Sequence, residues 1–208
     1  MNSETNLDNR LRLCAEYVRR GSRPADIGTD HAYLPVWLCR NGVCPSAIAA
    51  DINPDPLSRG RLTVENSSLS EKIELRLSNG LSAISADEAD DIVIAGMGGE
   101  LIAKIIESCG WAKSPDKHFI LQPMTKSEAL ICYLCQNSFK IESQECCEAG
   151  GKCYTVLSVY YTGELHPLEN ETHLRYLSGS IARLRKQALG EARFGVLADR
   201  LEEFCGKG

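Results

Sequence analysis

Five short apolar runs, each closing on glycine, acidic or amide residues and each separated from the next by helical periodicity, constrain this chain most. They are "PADIG" at 24–28, "SAIAADI" at 46–52, "IELRLSNG" at 73–80, "ADDIVIAGMGG" at 89–99 and "HFILQPM" at 118–124. Between them, "AYLPVWLCRNG" carries an Asn41-Gly42 stop signal, "PDPLSRGRLTVENSSL" begins on prolines that suit a first helical turn, and "ELIAKIIESC" and "KSEALICYLCQNS" read as helices. Strands alternating with helices predict an α/β fold with a doubly wound, mostly parallel sheet. "FKIESQECCEAGGKCYTVLSVYYTG" adds two strands around Gly150-Gly151, hence an antiparallel hairpin at one edge.

Helical sequence flanks this core. Leu7, Leu11, Cys14, Ala15 and Val18 recur at helical spacing before the first strand. After His166-Pro167, Leu174, Leu177, Ile181, Leu184 and Ala188 do so again. A break near Gly190 or Gly195 follows, then Val196, Leu197 and Leu201. The expected organisation is a sheet domain over 1–165 and an appended helical hairpin over 166–208.

Ligands of such sheets bind outside the carboxyl ends of the strands. Gly28–His31, Asp51–Asn53, Asn79-Gly80, Ala95–Gly99 and Gln122–Met124 all fall there, so the pattern predicts one cleft at their convergence. A dinucleotide-binding turn would carry its second and third glycines where Asp30 and Tyr33 stand. A pyrophosphate needs bare backbone amides and a positive helix end, and Asp30 would repel it. S-adenosylmethionine fits better: it has no phosphate, and carboxylates attract its sulfonium and amino group. Its ribose diol suits an acid at the end of the second strand, which is Asp51. Asp26 and Asp30 at the end of the first strand are read as cofactor-binding on the same ground.

Other classes are disfavoured. No apolar run approaches the ~18 residues of a membrane span, and the polar start has no signal-peptide core, so a cytoplasmic protein is expected. The ten cysteines are spread through apolar and helical segments, which predicts reduced thiols. Cys132 and Cys135 share a predicted helix and have no second C-x-x-C, so no metal is expected. No Ser/His/Asp arrangement is visible. The net charge of −5 is uneven: residues 1–25 carry +2, 26–165 carry −8 and 166–208 carry +1. Mildly basic ends around an acidic body permit an RNA partner.

"ADIGTDHAYLP", "AADINPDPL", "SNGL", "DIVIAGMGGELIAKII" and "LQPM", in this order, resemble the bacterial tRNA (adenine(22)-N1)-methyltransferase family. Met124 stands where that family has an Asn, and "ALICYLCQNSF" lacks its Arg and Trp. The resemblance implies a Rossmann-like fold, S-adenosylmethionine as cofactor and tRNA as partner. It also implies cofactor contacts at Gly28, Asp30, His31, Asp51, Ile52, Asn79 and Gly96, with Gly80 beside Asn79. Asp30 is the candidate catalytic residue, stabilising positive charge on the methylated base. Met97, Gly98 and Gly99 would give space for a flipped base, and Gln122 and Pro123 line the next strand end. Arg10, on the first helix, is a candidate phosphate or substrate contact. Arg183 and Arg185, with Arg175 and Arg193, are candidates to hold the tRNA backbone. The alternatives are an enzyme of the same fold acting on a protein or small molecule, or a non-catalytic cofactor-binding interaction module.

Overall fold

The computed structural model describes residues 6–166 and 171–204, and within them every side chain but those of 171–177 and 204. Pro167, half of the expected boundary before the tail, lies outside the described residues, as do the side chains of Leu174, Arg175 and Leu177.

In chain order the elements are α1 (Asn9–Tyr17), β1 (Pro24–Ile27), α2 (Tyr33–Arg40), β2 (Ala47–Asp51), α3 (Pro54–Asn66), β3 (Ile73–Leu77) and β4 (Asp91–Gly98). Then come α4 (Gly99–Glu107), a 3₁₀ turn (Gly110–Lys113), β5 (His118–Thr125), α5 (Ser127–Gln136), β6 (Phe139–Ala149), β7 (Lys152–Tyr161), α6 (Glu171–Gln187) and α7 (Ala192–Phe204). The seven strands form one sheet in the order β3-β2-β1-β4-β5-β7-β6. β1 to β5 run parallel, and β7 and β6 close the edge antiparallel. The expected doubly wound sheet with an edge hairpin is the fold observed.

The inner strands are buried on both faces, so their side chains alternate between two hydrophobic clusters. Ile92 and Ile94 of β4, with Phe119 and Leu121 of β5, pack with Ile102 and Ile106 of α4 and Leu130 and Leu134 of α5. Val93 and Ile120 point the other way, into a layer built with Leu13 and Cys14 of α1, Leu34 and Leu38 of α2 and Val64 of α3. Leu184 of α6 and Ala198 and Leu201 of α7 join the first cluster, so the C-terminal hairpin is packed onto the sheet domain through α5.

The chain goes from β1 outward to β2 and β3, then returns across β1 to place β4 on its other side. The helices after β1 and β4 therefore leave in opposite directions, and a crevice opens between these two strand ends.

Candidate active site

A cleft of about 460 Å³ occupies that crevice, and Asp26, Gly28, Asp30, His31, Tyr33, Gly96, Met97 and Arg10 are among its lining residues. β1 turns away at Gly28, whose φ of +80° only glycine adopts without strain. The Gly28 and Thr29 amides donate to the Ala50 carbonyl at 2.8 and 3.0 Å, tying the turn to β2. A Cβ at Gly28 would lie 2.1 Å from Met97 Cε, so the absent side chain is also what lets Met97 lie across the turn.

The three carboxylates of the region differ sharply. Asp26 faces the α1 side of the sheet and is buried. Burial pushes its carboxyl up to about 6, and the Asp51 charge adds to this, while the Thr29 hydroxyl and the Arg10 charge pull it down. Asp30 stands in the open, its side chain 65% exposed, in an ion pair with Arg59 of α3 and with His31 Nε2 3.3 Å away. Asp51 ends β2 half-buried and accepts the Asn53 amide through Oδ1 at 2.7 Å. Ile52, next to it, is 57% exposed, an apolar side chain left bare at the strand end.

Arg10 reaches the site from α1, whose first turn Asp8 caps by accepting the Leu11 amide at 2.8 Å. Its Nη1 donates to Gln122 Oε1 at 2.8 Å and its Nη2 to Asp8 at 3.3 Å. Gln122 Oε1 also accepts the Gly96 amide at 3.0 Å. One buried amide thus fixes both the guanidinium and the β4 end. Gln122 is 0% exposed and Pro123 is buried, so neither presents a free surface to a substrate.

The glycines after Ala95 have three distinct reasons. β4 continues to Gly98, with register shifts between Ala95, Met97 and Gly98 against β5. Gly96 supplies a φ of +83° at the bulge. Gly98 is extended, and a Cβ there would meet Thr125 Oγ1 at 3.3 Å. Gly99 begins α4, and its Cβ would lie 2.3 Å from the Lys126 carbonyl oxygen. Space at Gly99 is therefore filled by the loop before α5.

The five strand ends do not share one cavity. Asn79, after β3, borders a neighbouring groove of about 660 Å³ between the β3–β4 segment and α4, with Leu101, Ile105 and Trp111 on its walls. Gly80, at φ +58°, packs on Ile105 there. Of the tail arginines, Arg183 pairs with Glu128 at 2.9 Å, Arg185 with Asp199 and Glu202 at 2.6 and 2.8 Å, and Arg193 with Glu191 at 2.6 Å. None of these lines the cleft. Arg59, which holds Asp30, carried no signal in the sequence beyond its place one turn into a helix after β2.

The sheet also assembles a Ser/His/Asp arrangement that the sequence concealed. His118 Nε2 lies 2.8 Å from Ser158 Oγ and its Nδ1 3.6 Å from Asp91 Oδ1. All three are buried at the amino ends of β4 and β5, where Arg19 and Ser22 also bond Asp91, so the group braces the sheet and offers no nucleophile to a substrate. Among the described residues, no three His, Cys, Asp or Glu side chains are grouped to hold a metal. No helix there is long and apolar enough to cross a membrane.

Solved structures share this architecture over nearly the whole chain. A Bacillus subtilis m1A22 tRNA methyltransferase superimposes with a TM-score of 0.79 at 29% identity, covering 98% of this chain and 100% of that one. A Streptococcus pneumoniae protein, a candidate tRNA (m1A22) methyltransferase solved with S-adenosyl-L-methionine, gives 0.77 at 29% identity over 97% and 100%. By sequence, a curated B. subtilis tRNA (adenine(22)-N(1))-methyltransferase is 39% identical over 155 residues, 74% of this chain. The match spans 65% of that relative's length. The family model for a methyltransferase domain matches residues 7–157, from just before α1 to the middle of β7, and the chain belongs to that family.

Proposed function

We propose that this chain transfers the methyl group of S-adenosylmethionine to N1 of an adenine in tRNA, at position 22, in the cytoplasm. The observation that carries the reading is the chemistry of the carboxyl edge. Three carboxylates and a bare isoleucine stand where a phosphate-binding site would need unopposed amides. The B. subtilis and S. pneumoniae relatives support the tRNA and the cofactor.

The residues present fit that cofactor. Asp51 would accept the ribose hydroxyls, Ile52 would cover a face of the adenine, and Asn79 would meet its polar edge. Arg10 has a role beyond the expected phosphate contact: on the cleft wall, oriented by Gln122, it would face the cofactor's carboxylate. When bound, the cofactor supplies an electrophilic methyl on a sulfonium and leaves as a neutral thioether.

N1 of an unprotonated adenine has a free lone pair, so no base is required before attack. The chain's task is alignment and exclusion of water. As the N–CH₃ bond forms, positive charge spreads from N1 toward N6. Asp30, an exposed carboxylate on the cleft held in place by Arg59 and His31, would stabilise it.

The test is to incubate the purified chain with labelled S-adenosylmethionine and unmodified tRNA transcripts, then map methylated nucleosides by mass spectrometry. N1-methyladenosine at position 22 is expected. Label in protein or small-molecule fractions, or cofactor binding with no transfer to any tRNA, would overturn the substrate assignment.

A further inference from the structure

Tyr33 begins α2 at the cleft, is 43% exposed, and packs into neither hydrophobic cluster. It stacks on His31 with centroids 5.0 Å apart and planes 8° apart, and both residues line the cleft.

The backbone between them is strained to make this pair. Ala32 has a φ of +54°, a left-handed conformation that is costly for a side-chain-bearing residue. Its amide is satisfied by Thr29 Oγ1 at 3.1 Å. Its methyl is fully buried against Gly60 of α3, where a Cβ would already come within 3.3 Å. Regular helix would swing residues two apart toward opposite sides, so the left-handed step keeps both rings on the cleft side. From behind, His31 Nε2 is held to Asp30, and Asp30 to Arg59.

A flat aromatic surface braced in this way suits a nucleobase, which stacks on aromatic side chains through its π-face. The cofactor's ribose and adenine would lie toward Asp51 and Ile52, and neither of these lines this cleft. The β4 end opposite, Ala95–Gly99, has no aromatic residue to stack a displaced base.

We propose that Tyr33, backed by His31, is the stacking platform for the target adenine once it leaves the tRNA stack; this rests on the tRNA-methyltransferase reading. The ring face is electron-rich, so its attraction for the adenine grows as methylation makes that base cationic. The platform then favours the transition state over the ground state as well as binding the base.

The test uses Tyr33→Leu, which keeps bulk and helix propensity, and Tyr33→Phe, which keeps the ring. Three readouts apply: S-adenosylmethionine affinity by calorimetry, kcat/KM for tRNA, and fluorescence of a tRNA D-arm hairpin carrying 2-aminopurine at the target adenine. Expected are unchanged cofactor affinity in both variants and a loss of about tenfold or more in kcat/KM for the Leu variant only. Stacking should quench 2-aminopurine with wild type and the Phe variant, but not with the Leu variant. A Leu variant with full kcat/KM, a Tyr33-independent quench, or an equal loss of cofactor affinity would overturn the platform. Wild type that quenches in a Tyr33-dependent way but transfers no methyl would leave the platform standing and sink the methyl-transfer reading instead.

Discussion

At the scale of single residues, the site separates its carboxylates by environment. Asp26 is ionised only against the cost of burial, and its carboxyl is pushed up to about 6 from 3.8. A folded-state value above the unfolded one means the native state holds a proton that the unfolded chain has released. Between about pH 4 and 6 stability therefore falls as pH rises, and the penalty persists above 6. The shift corresponds to about 3 kcal/mol at neutral pH. Asp26→Asn, neutral at every pH, is expected to raise the melting temperature at pH 8 and to change it little at pH 4. Thermal melts at the two pH values check this, and equal effects at both would remove the ionisation argument. Asp30 lies at the other extreme, open to solvent, so its loss should touch chemistry more than folding. Asp30→Asn is expected to lower kcat on the order of tenfold, toward the weak end for electrostatic stabilisation because water screens an exposed charge. The melting temperature and cofactor affinity should stay near wild type. Single-turnover methylation beside calorimetry checks this, and full turnover would end the catalytic assignment.

At the scale of elements, the carboxyl edge depends on how closely the loops after β4 and β5 approach each other. α4 begins at Gly99 against the Lys126 carbonyl, and Lys126 itself is left-handed at φ +54°. Gly99→Ala would force a methyl to within 2.3 Å of backbone, so one of the two loops must move. An overpacking cost of about 1–3 kcal/mol is expected, together with weaker cofactor binding, because β4 and Gly96 lead directly into that turn. Denaturant unfolding and calorimetry on the same variant would show both losses, and retention of both would mean the loop yields freely. This contact also marks where sequence stops being informative. The alternation of apolar runs and helices predicted that β1 to β5 run parallel, without their order in the sheet. The residues that break each run placed Asp26, Gly28, Asp30, Asp51 and Gly96 at the edge. Those are local signals, set by propensity and period. The bulge that carries β4 to Gly98, the Gly99–Lys126 contact and the insertion of β7 between β5 and β6 depend on partners distant in the chain. The same is true of Arg10, which meets Gln122 across 112 positions, and of Arg59, which reaches back 29 to Asp30. The glycines after Ala95 read as space for a base until the Lys126 carbonyl that fills the room at Gly99 is known.

At the scale of the whole molecule, the question is whether the C-terminal hairpin is an appendage to the methyltransferase domain or part of its core. Its charges face inward as well as out: Arg183 pairs with Glu128 of α5, whose side chain is only 9% exposed, so the pair links the tail to the sheet domain. Charge reversal at Arg183 would set two carboxylates together there, and a loss of RNA binding in that variant would first report loosened packing. The apolar contacts argue the same way. Leu184, Ala198 and Leu201 belong to the cluster that contains Ile92, Phe119 and Leu130, so burial of the α5 outer face is shared by both parts. Leu201→Ala removes a fully buried side chain and is expected to cost about 2–5 kcal/mol. If the chain unfolds as one unit, the single melting transition should drop on the order of 10 °C. Amides of α4 and α5 should then lose hydrogen-exchange protection together with those of α6 and α7. If the hairpin is an independent appendage, the main transition will hold and only the α6–α7 amides will exchange faster. The first outcome means the tail fixes α5, and through the loop at Lys126 the Gly99 turn and the β4 end, so that an RNA docked on the tail would be mechanically continuous with the cleft.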